Sequence, residues 1–74
     1  MPKAISGLQL VKILAKAGFK PIRKSGSHII LVKKGPQRIG CVVPDHKELA
    51  IGTLLGILKQ AQITKKEFGE LKKR

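Results

Sequence analysis

"HIILVKKGPQRIGCVV", residues 28–43, decides the fold. Two runs rich in β-branched residues, His28 to Lys33 and Arg38 to Val43, flank the tetrapeptide Lys34-Gly35-Pro36-Gln37. Branched side chains suit a pleated surface, and a Gly-Pro step between two such runs reads as a hairpin loop. Side chains alternate along a strand. Ile29 and Leu31 therefore share one face, with His28, Ile30 and Val32 on the other. In the next strand Ile39, Cys41 and Val43 make the apolar face, opposite Arg38, Gly40 and Val42.

Working outward, Phe19 to Lys24 reads as a short first strand, with Pro21 favouring a sheet edge because it lacks an N–H. Ser25-Gly26-Ser27 is the turn into His28. Before it, Ser6 and Gln9 form a capping-box pattern. Leu10, Ile13, Leu14 and Ala17 then follow helical spacing, with Gln9, Lys12 and Lys16 opposite, so a helix is expected from about Gly7 to Ala17. Gly18 is a natural stop. After the third strand, Pro44-Asp45-His46 ends the sheet. Leu54, Ile57, Leu58 and Ala61 define a helix from about Ile51 to Gln60, at whose start Gly52-Thr53 reads equally as N–H groups that could hold a phosphate or as N-cap chemistry. Thr64 and Glu67 form a second capping box, opening a short helix that carries Phe68 and Leu71. The cations of the closing "LKKR" complement that helix's dipole.

The expected fold class is α+β: a single domain, residues 1–74, in two layers, with helices on one face of a three-stranded antiparallel sheet. The other face keeps Ile30 and Val32. Either these are ordinary exposed aliphatics or they await a protein partner.

Sixteen Lys and Arg against four acids give the chain a formal charge of +12. So basic a surface on 74 residues calls for a polyanion, and nucleic acid fits better than membrane because no basic amphipathic helix stands apart from the fold. Phe19 and Phe68 are the only aromatic residues, too few for a base-stacking platform. Contacts to RNA or DNA are therefore expected mainly at phosphate and sugar. A single cysteine, Cys41, excludes an intrachain disulfide and suits a reducing, cytoplasmic setting. "MPKAISG" lacks the apolar core of a signal peptide, and the aliphatic run Ile29 to Val32 is far too short to span a bilayer.

Chemistry centres on His28. Histidine exchanges protons near neutral pH, and RNA cleavage needs a base for the 2′-hydroxyl and an acid for the leaving 5′-oxygen. Arg23 and Lys24 precede the turn, and N–H groups at Ser25, Gly26 and Ser27 would cup a phosphate. Lys33, His46 and Lys47 are further candidate RNA contacts. His46 reads first as a polar turn residue beside Asp45, and otherwise as a second proton carrier or a substrate contact. Cys41, His28 and His46 lack zinc-ligand spacing, and four acids are too few for a magnesium site, so no metal or other cofactor is expected.

Together, "SGLQLVKILAKAGF", "GSH" entering an aliphatic strand, and "VVPDHKELAIGTLLGILKQAQITKKEF" resemble the HicA family of toxin–antitoxin mRNA interferases. The resemblance covers nearly the whole chain. It implies a fold similar to the double-stranded-RNA-binding domain, metal-free cleavage of mRNA independent of the ribosome, and growth arrest. His28 takes the position of the family's catalytic histidine. A HicB-like antitoxin would cover that site, with Ile30 and Val32 as its contacts. In this chain Ile29 and Ile30 follow the histidine where a second histidine or an aromatic is common, and Leu54-Leu55-Gly56 stands where cations are usual. Two other readings share the same charge: a non-catalytic RNA-binding module, and an interaction protein for an acidic partner.

Overall fold

The computed structural model describes residues 4–74. The reading of the N-terminus as free of a signal peptide draws partly on residues 1–3, which lie outside that range. Three helices and three strands follow in the order α1 (Gly7–Lys16), β1 (Lys20–Ser25), β2 (His28–Lys33), β3 (Ile39–Pro44), α2 (Ile51–Gln60) and α3 (Lys65–Lys73). The sheet is antiparallel throughout, ordered β1-β2-β3. This is the expected α+β layout, with Pro21 on an edge strand as its missing N–H requires.

The capping box of α1 forms in full. Ser6 Oγ accepts from the Gln9 N–H at 3.0 Å, and Gln9 Oε1 accepts from the Ser6 N–H at 2.8 Å. Leu10 and Leu14 are fully buried, while Gln9, Lys12 and Lys16 lie outward. Both main helices end in the same motif. At α1, Gly18 adopts φ 102° and the Phe19 N–H donates to Leu14 O at 3.2 Å. At α2, Gln62 adopts φ 58° and the Ile63 N–H donates to Leu58 O at 2.9 Å. Glycine takes that backbone freely; glutamine does not.

Two capping expectations are corrected. Thr64 accepts from the Glu67 N–H at 3.1 Å, but that helix's capping box lacks the return bond from Glu67. The N-cap of α2 is Ala50, with no side-chain cap, so Thr53 plays no part there.

The core fills the space between the helices and one sheet face. Leu10 and Leu14 of α1, Ile29 and Leu31 of β2, Cys41 and Val43 of β3, Ile57 and Leu58 of α2 and Leu71 of α3 all belong to it, together with Phe19. The other face has no helix over it. On it the register aligns Arg23, Ile30 and Val42 across the three strands. The two sheet edges also differ. At β3 the Val42 N–H donates to Gln60 Oε1 of α2 at 3.2 Å. All six residues of β1 are exposed.

Candidate active site

His28 opens β2 immediately after a two-residue turn. Gly26 has φ 59°, and Ser27 has none of the positive φ that Gly26 shows. A glycine at the first turn position alone in the left-handed region is the pattern of a II′ hairpin, whose twist suits the flanking strands. Ser25 pairs with His28 across the turn, and His28 pairs with Pro44 on its other side. The histidine therefore lies in the central strand, at the sheet's turn end, on the open face and exposed to solvent.

Main-chain bonds hold that end. The Asp45 N–H donates to Ser27 O at 2.6 Å, tying the Gly-Ser-His turn to the Pro-Asp-His turn. The Gly7 N–H donates to His46 O at 2.9 Å, and the Leu49 N–H to Ile5 O at 2.8 Å, so the start of α1 is stitched to the same segment. Gly7 is required for this approach, since a Cβ there would lie 2.0 Å from Pro44 O. His46 and Lys47 follow directly and are exposed. Both histidines are thus brought to one end of the sheet.

Two expected site residues fall on the other face of the sheet, and a third is largely buried. A bulge in β1 between Pro21 and Arg23 sets the register so that Arg23 pairs with Ile30, on the histidine's face, while Lys24 pairs with Ile29, on the helix side. Lys24 there makes an ion pair with Asp45 at 2.7 Å. The two cations that are adjacent in sequence therefore do not act on one face. Lys33 also points to the helix side. Its Nζ lies 6.0 Å from the Phe19 ring centroid, and β2 carries it ~17 Å from His28. Val32 shares the histidine's face by register but is only 7% exposed, so it offers little contact area to a partner. On the sheet, Ile22 at 54% and Val42 at 39% are exposed; the sequence reading placed Val42 on this face and missed Ile22. Ile22 is the residue the bulge inserts, and no alternation rule places such a residue. Ile30 is half-buried, as a residue in a central strand between Arg23 and Val42 should be.

Among the described residues, no group of three or more His, Cys, Asp or Glu side chains is arranged to hold a metal ion. The thiol of Cys41 is pushed up from 9.0 to about 11 by burial, which makes it an inert core residue rather than a nucleophile. No helix among the described residues is long and apolar enough to cross a membrane.

A small, strongly basic α+β domain, with an exposed histidine at one end of an uncovered sheet face, defines the class. The HicA toxin family of bacterial toxin–antitoxin systems matches residues 7–63, from the first residue of α1 to just beyond α2, and the chain belongs to that family. Comparison with curated proteins and with solved structures found no match.

Proposed function

We propose that the chain is an endoribonuclease toxin that cleaves mRNA in the cytoplasm without a metal, residues 1–74 acting as one domain, with His28 as the general acid–base. The observation that carries this reading is the place of His28: exposed, on a sheet face free of helices, directly after a tight turn and on the same face as Arg23. Neutral His28 takes the proton of the ribose 2′-hydroxyl, and the freed oxygen attacks the adjacent phosphorus. The bond to the 5′-oxygen breaks, leaving a 2′,3′-cyclic phosphate, and the departing oxygen takes up a proton. Arg23 and the turn amides at Gly26 and Ser27 offset the charge that develops on the phosphoryl oxygens. The second proton transfer falls to His46 or to water.

Family membership makes the chain the toxin half of a pair. Its partner is proposed to be a HicB-like antitoxin that lies on the open face over Ile30, Val42 and Ile22 and so covers His28. Charge supports an acidic partner on a chain of +12.

The test is cleavage of a labelled single-stranded RNA by the purified chain, with and without EDTA. Cleavage persisting in EDTA and falling at least ~100-fold in His28→Ala, with RNA binding retained, is the expected result. If His28→Ala cleaves at the wild-type rate, the assignment is wrong. A wild-type chain that binds RNA in a salt-dependent way but never cleaves it would be a binding module instead.

A further inference from the structure

At the end of the open face remote from His28, the chain encloses a cleft of about 310 Å³ lined by Gly18, Lys20, Ile22, Val32 and Lys34. We infer that this cleft is an anchor pocket for the antitoxin. It receives one large apolar side chain from an acidic, extended segment that continues along the open face to His28. The inference rests on the proposed antitoxin reading and adds to it a second point of attachment.

The walls argue for an apolar occupant. Val32 forms a floor and Ile22, inserted by the β1 bulge, is a side wall left 54% exposed. Gly18, with its left-handed backbone at φ 102°, contributes only main chain to the wall. The volume corresponds to about ten water molecules at ~30 Å³ each, room for a branched or aromatic side chain. Exposed aliphatics around a cavity are the usual seat of an interface anchor.

Charge selects among occupants. Lys20 and Lys34 flank the opening, and neither is in the ion pair or the cation–π contacts found among the described residues. They favour carboxylates beside the buried side chain and oppose a second copy of this +12 chain. A nucleobase finds no ring to stack on, since no aromatic residue lines the cleft and Phe19 is buried in the core.

Geometry links the pocket to the site. Val32 and His28 lie on one face of β2, four residues and so ~13 Å apart. An extended segment of about four residues spans that distance. An inhibitor seated in the pocket would thus hold its neighbouring residues over the histidine.

The experiment measures the dissociation constant between this chain and the antitoxin encoded beside it, by calorimetry, for wild type, Ile22→Lys and the double variant Lys20→Glu/Lys34→Glu. These three positions are exposed, and circular dichroism confirms folding of each variant. Both variants are expected to weaken the complex at least ~10-fold, with RNA cleavage by the free chain unchanged. Affinities within twofold of wild type overturn the pocket. So does a loss of RNA affinity with antitoxin affinity intact, which would give the cleft to RNA. Because the readout is binding, failure of the free chain to cleave RNA leaves this test standing. A wild-type chain that binds no antitoxin sinks the partner reading itself.

Discussion

Gly7→Ala should be strongly destabilising although alanine is the better helix former. The new Cβ would sit 2.0 Å from Pro44 O, 3.0 Å from Pro44 C and 3.2 Å from Asp45 Cα, all main-chain atoms that no rotamer change removes. To restore van der Waals contact, the start of α1 must retreat by about 1.4 Å from the Pro44–Asp45 segment. That strains or breaks the 2.9 Å bond from the Gly7 N–H to His46 O. Overpacking costs about 1–3 kcal/mol and a lost hydrogen bond about 0.5–1.5, while glycine-to-alanine in a helix returns about 0.5–1. The net loss is about 2 kcal/mol, a fall in Tm of roughly 8–16 °C for a domain of this size. Urea unfolding followed by circular dichroism measures it. Gly52→Ala and Gly56→Ala are the internal controls. They lie in α2 with nothing within 4 Å of a new Cβ, and each should gain about 0.5–1 kcal/mol. A Gly7→Ala protein as stable as wild type would refute the close approach of α1 to the Pro-Asp-His turn.

Other substitutions read single features. Gln62→Gly relieves a left-handed glutamine after α2, and chemical denaturation should show a gain of about 0.5–1 kcal/mol. Ser6→Ala removes the bond from the Gln9 N–H to Ser6 Oγ while keeping the main-chain bond to Gln9 Oε1, and should cost about 1 kcal/mol in the same assay. Asp45→Asn breaks a solvent-exposed ion pair with Lys24, so stability should change by less than about 1 kcal/mol. The Cys41 thiol, raised from 9.0 to about 11, should resist alkylation at pH 8 in the native chain and react on unfolding. Because the folded chain holds that proton more tightly, the thiol's contribution to stability is complete below pH 9 and is lost as pH rises toward 11; unfolding across that window checks the sign.

What the sequence made legible was governed by local rules. The Ser6–Gln9 box, the spacing of Leu10, Leu14, Ile57 and Leu58, and the β-branched runs around the Gly-Pro loop each depend on residues within one element, and each is realised. The rest depended on register and on contacts between elements. Alternation alone puts Arg23 and Lys24 on opposite faces, but which of them shares the histidine's face was set by a bulge in β1 that a period of two does not show. Lys33 falls on the helix side by the same alternation that puts Ile29 and Leu31 there, and its ammonium lies near the Phe19 ring. Val32 lost its exposure to a cleft closed by Gly18, Lys20, Ile22 and Lys34, residues from two other segments and the following loop. The cap of α2 was misread because Ala50 leaves its first turn without a side-chain acceptor.

The histidine end of the sheet has a further property, which bears on how a small domain keeps a reactive site. Its three stitches, Asp45 N–H to Ser27 O, Gly7 N–H to His46 O and Leu49 N–H to Ile5 O, are all main-chain bonds. The side chains of Arg23, His28, His46 and Lys47 are exposed, and none is in the side-chain hydrogen bonds or ion pair found among the described residues. Position is therefore fixed by backbone, and the groups proposed for chemistry carry little of the fold's stability. In a chain whose core rests on few residues, this division separates two classes of substitution. Changes at His28 or Arg23 should leave unfolding nearly unaltered while altering RNA cleavage. A change at Gly7, which touches no substrate in this scheme, should disturb both, because it moves the turn that carries His46 and, through Asp45, the turn that presents His28.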